Sequence, residues 1–412
     1  MYNYTVKDRF LKYVTFDTQA DPESKTYPSS MNQLELSKHI QGELAALGIK
    51  YETNEAGYIY GFIPSNTGNS HEKVCFCAHM DTAPDASGTD VKPRVHHDYQ
   101  GQVIDYPDDV NLKLDPQKHS YLMKKIGDDI ITASGLTLLG SDDKSGIAII
   151  MDMATQIVNN PEIPHGEIRL LFTTDEEVGK GVDKVDLELL DADFGYTLDG
   201  AELGKIEYEN FSANGATLDI KGVSAHPCCA KGIMQNAIKI ASEVISNLPV
   251  DTMSPETTEH RQGFIHPTKI EGKMEDVQIQ FILRDFDTPK LDEYEQLLRR
   301  TTEKVLEKYP NAGYELKIKH QYRNMREVLD NYPQVIKYAT DACANLGIEF
   351  DLGLIRGGTD GAVLSHKGLP CPNLFTGMQA IHSKYEWVSV QDMQKAVDMT
   401  IEICKEIAKN KK

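Results

Sequence analysis

The sequence contains no apolar run that approaches the ~20 residues needed to cross a bilayer. Its first residues, MYNYTVKDRFLKYV, contain neither the apolar core of a signal peptide nor a small-residue cleavage site. They fit the first turns of an amphipathic helix instead. These absences argue against membrane and exported proteins, and they predict a cytoplasmic location.

Basic residues are also scarce. The chain has 43 Lys and Arg against 63 Asp and Glu, which gives a formal charge of -20. A surface this acidic repels nucleic acid and anionic lipid, so neither is expected as a partner. Such a charge ordinarily serves solubility. The alternative is that the electrostatic field of the protein acts on charged substrates.

Cysteines with the spacing of a metal site are absent, since none of the seven forms a CxxC pair. Cys75 and Cys77 alternate along the apolar stretch KVCFCAHMD, which predicts buried, reduced thiols in a strand. Cys228 and Cys229 are adjacent, and adjacent cysteines rarely suit one metal or one bridge. We interpret these two as small residues of a loop.

The first half of the chain alternates between helical and strand patterns. Helix periodicity occurs at 5–15, 33–47 and from 141 onward, and strand-like runs occur at 58–63, 73–78, 167–174 and 194–200. This alternation predicts an α/β domain whose sheet is mostly parallel and covered by helices on both faces. The segment 83–137 is too long for a simple loop, so we expect hairpins or a subdomain there.

The pattern changes after about residue 210. From there to 323 the predicted order is strand, helix, strand, strand, helix, strand, as in a ferredoxin-like domain. The α/β pattern then resumes, with a helix at 332–346 and a closing helix at 390–408. We therefore predict a catalytic domain formed by 1–209 and 324–412, with a second domain inserted at 210–323.

Five groups of acidic or imidazole side chains follow predicted strands or begin the next helix. They are His79 with Asp81, Asp142 with Asp143, Asp175 with Glu176 and Glu177, Asp199, and His382. Parallel strands deliver functional groups at their carboxyl ends, so the five groups should converge on one edge. Each group alone also fits an ordinary polar histidine or an acidic helix N-terminus.

Convergence of the five groups predicts a metal centre, because packed carboxylates repel one another unless cations neutralise them. Two neutral imidazoles and three carboxylates carry -3, and two divalent cations with one bridging hydroxide bring the total to zero. Imidazole and carboxylate ligands suit Zn²⁺, with Co²⁺ or Mn²⁺ as substitutes. Two ions ~3.5–4 Å apart can share a carboxylate and an activated water.

The motifs that carry these groups resemble those of the peptidase T branch of the M20 metallopeptidases. They are HMDTAPD, LLGSDDKSGIA, TTDEEVGKG, YTLDGAELG, GVSAHPCCAKG, ILRDFD, IRGGTDGA and FTG…HSKYEWV, in the family's order from about residue 4 to 408. The resemblance implies a zinc-binding catalytic domain with an inserted lid. It also implies an aminopeptidase that releases the first residue of tripeptides.

The resemblance further implies which residues bind the two metal ions. His79 and Asp199 would hold one ion, Glu177 and His382 the other, and Asp142 would bridge them. All five are present in the matching motifs.

The same resemblance implies two catalytic residues, each close in sequence to a predicted metal ligand. Asp81 would hydrogen-bond His79 and fix its tautomer. Glu176 would be the general base, taking a proton from the attacking water and passing it to the leaving amine. A surface carboxylate is the alternative for Glu176.

Four residues would bind the substrate. His226 on the insert would help to hold the substrate carbonyl, with an ordinary loop histidine as the alternative. Arg284 and Arg356 resemble the family's ligands for the substrate carboxylate, which a guanidinium binds bidentately, and Asn324 would assist. Structural salt bridges are the alternative for the two arginines.

Two other functions stay open at this point. A related M20 dipeptidase or N-acyl amino acid amidohydrolase would use the same metals. A non-catalytic binding protein of this fold would have lost a metal ligand or Glu176, and all six positions are intact. Short peptides with free termini are the expected partners, and a homodimer through the insert is compatible with the resemblance.

Overall fold

The computed structural model describes residues 3–410. Its α-helices are α1 (Val6–Tyr13), α2 (Gln33–Ala46), α3 (Ser141–Asn159), α4 (Leu187–Leu190), α5 (Ala237–Ser246), α6 (Pro289–Leu306), α7 (Arg326–Leu329), α8 (Pro333–Leu346), α9 (Asp360–Lys367) and α10 (Val390–Lys409). Short 3-10 helices occur at Ser120–Lys125, Glu176–Val178 and Pro227–Cys229.

The strands fall into four sheets. In chain order they are β1 (Lys50–Thr53), β2 (Ile59–Ile63), β3 (Val74–His79), β4 (Arg94–His96), β5 (Ile104–Asp105), β6 (Lys113–Leu114), β7 (Ile130–Thr132), β8 (Ile168–Thr173), β9 (Phe194–Gly200), β10 (Lys205–Asn210), β11 (Ser212–Lys221), β12 (Phe264–Gly272), β13 (Asp276–Asp285), β14 (Gly313–His320), β15 (Asp351–Ile355), β16 (Asn373–Phe375), β17 (Met378–Gln379) and β18 (Trp387–Ser389).

The largest sheet has eight strands in the order β1-β2-β8-β3-β9-β16-β10-β15. Its central strands β8, β3, β9 and β16 run parallel to one another. On the flanks, β1 pairs antiparallel with β2, β2 with β8, and β10 with β16. The α/β prediction is confirmed, but the sheet is mixed, because its parallel part is limited to the centre.

Burial along β3 shows that both faces of this sheet are covered. Val74, Phe76 and Ala78 pack in one apolar cluster, and Cys75 and Cys77 pack in another. Adjacent residues of a strand point to opposite faces, so each cluster lies on one side of the sheet. The two cysteines are free, buried thiols, as the sequence predicts.

The chain divides into two compact units. The first takes in the chain up to Tyr208, Met325–Leu354 and the chain from Thr359 onward, and the second is Glu209–Asn324 with Ile355–Gly358. The sequence prediction for the insert is 210–323. Within the second unit, elements β11 to β14 with α5 and α6 follow in the predicted strand and helix order.

The sheet of the second unit has the order β12-β13-β11-β14, and its neighbouring strands are all antiparallel. Apolar residues of α5 and α6, among them Ile240 and Leu298, pack in one cluster with Leu218 and Ile279 of the strands. This is the ferredoxin-like arrangement that the sequence predicts.

The long segment 83–137 contains strands, as expected. Strands β4 and β7 form a four-stranded sheet with β17 and β18, and β5 pairs with β6. Across residues 3–410 no helix combines the length and apolar character that a bilayer crossing requires.

Candidate active site

Three neighbouring strands of the eight-stranded sheet end at the candidate site. His79 is the last residue of β3, and Asp199 lies one residue before the end of β9. Strand β8 ends at Thr173, and the acidic turn Asp175–Glu177 follows it. Because these strands are parallel, their carboxyl ends meet at one edge of the sheet.

Asp142 lies between two histidines. Its Oδ1 is 3.0 Å from His79 Nε2, and its Oδ2 is 3.2 Å from His382 Nε2. His79 Nε2 is also 3.8 Å from Asp199 Oδ1, and His382 Nε2 is 3.0 Å from Glu177 Oε2. The structure therefore brings the five predicted ligands together in two groups that share one carboxylate.

The pKa values of these side chains reflect their crowding. Burial, followed by the charge of Asp142, raises the pKa of Glu177 to about 8 and that of Asp199 to about 6. Burial opposes the ionisation of Asp142, yet hydrogen bonds with His382 and His79 hold its pKa below the usual range. Hydrogen bonds with Asp142 and Glu177 raise the pKa of His382 to about 11. The cluster thus favours positive charge strongly.

The donors fit divalent cations. His79, Asp142 and Glu177 have ligand atoms within 4.8 Å of one another, and so do His79, Asp143 and Asp199. Glu177 Oε1 is buried and has no hydrogen-bond partner among residues 3–410. A buried oxygen without a partner is costly, and a cation would satisfy it. Imidazole and carboxylate donors without thiolate match the ligands that zinc accepts.

Asp81 connects the histidine to the acidic turn. His79 Nδ1 lies 3.1 Å from the Asp81 carbonyl oxygen and 3.4 Å from Asp81 Oδ1. Since both neighbours are acceptors, Nδ1 carries the proton and Nε2 is left to bind a metal. The two Asp81 carboxylate oxygens accept hydrogen bonds from the backbone N–H groups of Glu176 and Glu177, each at 3.0 Å.

Glu176 lies in the same acidic environment. Burial raises the pKa of its carboxyl group well above the usual value, and the nearby charges of Asp360 and Asp199 raise it further, although His79 opposes them. The Glu176 carboxyl group is therefore harder to ionise than an ordinary exposed glutamate.

Glu386 is a residue of this site that the sequence analysis missed. Its side chain is buried, and Oε2 accepts hydrogen bonds from Leu139 N at 2.7 Å and Gly140 N at 2.8 Å. Oε1 accepts from Ser141 Oγ at 2.7 Å and from Asp142 N at 3.0 Å. Glu386 therefore fixes the backbone that carries Asp142. Glu386 lies within the motif HSKYEWV, but nothing except its charge distinguishes it there in the sequence.

Asp175 anchors the acidic turn through two residues that the sequence analysis also missed. Its backbone is left-handed, with φ 66°. Its carboxylate accepts hydrogen bonds from Ser29 N at 2.7 Å and from Gln33 Nε2 at 2.7 Å. Gln33 Oε1 in turn accepts from Asp175 N at 3.2 Å. These contacts fix the position from which Glu176 and Glu177 project.

Asp143 occupies the start of α3 together with Asp142, and neither residue has helical dihedral angles. The peptide bond between them is cis. Asp143 Oδ2 accepts a hydrogen bond from His79 N and Oδ1 accepts one from Gly146 N, both at 3.2 Å. A side chain at residue 146 would collide with Leu198 O, since a Cβ there would lie 2.1 Å away.

The two predicted substrate arginines lie in the second unit and bond to backbone carbonyls. Arg284 is buried, donates to Leu283 O at 2.9 Å, and lies over the Tyr322 ring at 5.3 Å. Arg356 donates to His260 O at 2.8 Å and to Gln262 O at 2.9 Å. Among residues 3–410, neither guanidinium is within salt-bridge distance of a carboxylate, so neither forms the structural salt bridge considered above.

The other two predicted substrate residues also belong to the second unit. Asn324 is buried, donates to Phe286 O at 3.0 Å and accepts from Asn210 N at 3.2 Å. His226 is exposed, and its Nδ1 accepts a hydrogen bond from Cys228 N at 3.3 Å. Because Nδ1 is an acceptor, a neutral His226 carries its proton on Nε2 and presents that nitrogen as a donor.

Comparisons with known proteins agree with the motifs. The model of peptidase family M20/M25/M40 matches residues 139–406. The chain is 44% identical to a protein named Peptidase T from Brevibacillus brevis, over 97% of each chain. It is 42% identical to a Peptidase T from Caldanaerobacter subterraneus, again over 97% of each chain.

Solved structures show the same fold. A tripeptidase from Staphylococcus aureus matches with a TM-score of 0.78 at 24% identity, over 98% of each chain. A Bacillus subtilis protein described as a dinuclear metal-binding peptidase of the M20 family matches with a TM-score of 0.66 at 14% identity, over 98% of each chain.

Proposed function

The chain belongs to peptidase family M20/M25/M40, and from that premise we propose that it is a metal-dependent aminopeptidase that releases the N-terminal residue of tripeptides. The observation that carries this proposal is the position of Asp142, whose two oxygens face two separate groups of imidazole and carboxylate ligands. The Peptidase T relatives at 42% and 44% identity favour tripeptides over the dipeptides or N-acyl amino acids of the alternative functions.

The residues would hold two zinc ions, with Co²⁺ or Mn²⁺ as substitutes. His79 and Asp199 would bind one ion, Glu177 and His382 would bind the second, and Asp142 would bind both. When bound, such ions activate a water molecule and polarise the carbonyl of the scissile peptide bond.

Glu176 would act as the general base and then as the general acid. Its carboxylate takes a proton from the attacking water as the water oxygen bonds to the carbonyl carbon. It then gives the proton to the leaving nitrogen as the C–N bond breaks, so the products are a free amino acid and a dipeptide. Asp81 supports this role, because it fixes the Glu176 backbone N–H and orients His79.

Four residues of the second unit would bind the substrate: His226, Arg284, Asn324 and Arg356. The family resemblance supports this assignment. Two arginines that lack a carboxylate partner in the described chain suit the C-terminal carboxylate of a peptide. A cationic site that receives this carboxylate would select peptide length, because each residue adds at most ~3.3–3.6 Å of reach.

The proposal is tested by hydrolysis of di-, tri- and tetra-alanine with Zn²⁺ supplied and withheld. We expect tri-alanine to be cleaved fastest, to alanine and alanyl-alanine, and only in the presence of metal. Preferred cleavage of the dipeptide, or of N-acetyl-alanine, would favour one of the alternative enzymes instead. A cytoplasmic location and a homodimer stay predictions.

A further inference from the structure

Glu207 shares a sheet face with the proposed metal ligands, although the proposed chemistry does not use it. In the pairing of β10 with β16, Glu207 lies opposite Asn373, and in the pairing of β16 with β9, Asn373 lies beside Thr197. Paired residues point to the same face of a sheet, and so do residues two apart along a strand. Glu207, Asn373 and Asp199 therefore project from one face.

Asn373 links Glu207 to the backbone of Asp199. Its Oδ1 accepts hydrogen bonds from Asp199 N at 3.0 Å and from Thr197 Oγ1 at 2.9 Å. Because Asp199 N can only donate, Oδ1 must be the acceptor and Nδ2 must face Glu207, whose Oε2 it contacts at 2.8 Å. The Glu207 carboxylate thus lies one amide side chain away from a proposed ligand.

Glu207 forms no salt bridge among the described residues, and the charge of Lys205 acts on it only from a distance. Within residues 3–410, no Lys, Arg or His nitrogen forms a salt bridge with its carboxylate, and Lys205 on the same face lies 4.0 Å from Glu202 instead. The residue alongside Glu207 is Gly353, where a Cβ would lie 3.1 Å from Glu207 Cγ. Glu207 is half-buried and lies beside the negatively charged Asp199, so ionising its carboxylate costs free energy. A cation bound to the carboxylate would offset this cost.

We propose that Glu207 binds the α-ammonium group of the substrate. This inference rests on the proposed function, because an aminopeptidase must recognise a free amine. Only the α-carbon separates that amine from the scissile carbonyl, so its binding group must lie next to the metal ligands, as Glu207 does. An ammonium supplies a positive charge and three donors, which match the carboxylate oxygens that Asn373 does not saturate.

The experiment measures binding rather than turnover. Both proteins carry Glu176→Gln, which keeps the site intact while slowing hydrolysis, and one of them also carries Glu207→Gln. Each is loaded with Zn²⁺, and calorimetry gives its dissociation constants for tri-alanine and for the des-amino analogue propanoyl-alanyl-alanine. Glutamine keeps an acceptor for Asn373 Nδ2 and removes only the charge.

We expect Glu207→Gln to weaken binding of tri-alanine by roughly 10- to 150-fold, the range of one charged hydrogen bond, and to leave binding of the des-amino analogue unchanged. Glu207→Asp, which keeps the charge on a shorter side chain, should recover part of the loss. Glu202→Gln is the matched control, because this nearby carboxylate contacts Lys124 and Lys205 and should not affect either ligand.

Equal weakening for both ligands, or no change for either, would overturn the assignment of Glu207. The first result indicates a structural role, and the second indicates that the amine binds elsewhere, for example to a metal ion. Failure of the proposed function gives a different result. In that case, protein with an intact Glu176 fails to cleave tri-alanine, whereas the effect of Glu207→Gln on the two ligands still decides whether Glu207 binds an amine.

Discussion

The proposed metal ligands of the first unit and two arginines of the second unit differ in the partners of their charged groups. In the first unit, Asp142, Glu177 and Asp199 crowd around His79 and His382, and no Lys or Arg of residues 3–410 forms a salt bridge with these carboxylates. In the second unit, Arg284 and Arg356 lie over aromatic rings and donate to backbone carbonyls. Among the described residues, the proposed metal ligands thus lack a Lys or Arg partner, and these two arginines lack a carboxylate partner.

This difference supports a separate proposed role for each unit. Crowded carboxylates that lack a Lys or Arg partner in the described chain are suited to metal ions, because cations remove their mutual repulsion. Guanidinium groups without an acidic partner are suited to a carboxylate that arrives with the substrate. We therefore propose that the first unit supplies the chemistry and binds the substrate amine, whereas the second unit binds the substrate carboxylate, so changes in each should have separable effects.

The largest effect is expected from Glu176→Gln in the first unit. Glutamine keeps the shape of the side chain but cannot accept a proton, and loss of a general base typically costs ~10²–10⁴ in rate. Turnover of tri-alanine should fall by this amount while the metal content of the purified protein stays the same. Near-normal turnover in this variant would exclude Glu176 as the base.

A smaller and more selective effect is expected from Arg356→Met in the second unit. Loss of one charged hydrogen bond should reduce the preference for tri-alanine over tri-alanine amide by roughly 10- to 150-fold. Arg284→Met should act in the same direction. The comparison of acid and amide is the control, because a general loss of folding lowers both rates together. Equal cleavage of acid and amide by the unaltered enzyme would show that there is no carboxylate site.

A similar or smaller effect is expected from Glu386→Gln, which leaves all proposed ligands in place. The NH₂ group of the glutamine would face backbone N–H groups that now donate to a carboxylate oxygen, so hydrogen bonds would be lost. Changes in residues that support metal ligands typically cost 10–100-fold in metal affinity or activity. Zinc affinity can be measured by competition with a chelator. Tyr385→Phe, at the exposed neighbouring position, is the control, and unchanged affinity in Glu386→Gln would refute the positioning role.

The smallest effect is a pH dependence of stability in metal-free protein. The pKa of His382 is raised to about 11, so its stabilising contribution is complete below its unfolded pKa of about 6.5 and is lost as pH rises through the folded value. The raised pKa of Glu177, about 8, acts in the same direction. Metal-free protein should therefore melt at progressively lower temperature from pH 6.5 upward. Zinc-loaded protein should show a weaker dependence, and identical curves for both samples would contradict this.

The sequence predicted the parts of the fold that depend on long apolar runs. The buried strands around β3 and β8 and the element order of the insert are examples. Strands β1 and β15 were missed, because their residues are mostly exposed or half-buried and carry no clear alternation. The mixed character of the sheet could not be predicted either, since it depends on how such flanking strands pair.

The candidate site was predictable where a motif marks it, and the structure brings His79, Asp142 and His382 together. The residues that support the ligands could not be predicted. Glu386 is 244 residues away from Asp142, and Gln33 is 142 residues away from Asp175. Neither side chain has a local pattern that distinguishes it from an ordinary polar residue, so only the folded chain reveals their contacts.

The most direct test of the account is the number of zinc ions bound per chain, measured by elemental analysis during a zinc titration that also follows cleavage of tri-alanine. Activity should rise until two ions are bound. Asp142→Ala should lose both ions and the activity, because the two Asp142 oxygens face both ligand groups. Asp105→Ala, which removes an exposed carboxylate, should bind two ions normally. Two tightly bound ions in Asp142→Ala, or full activity without metal, would contradict the account.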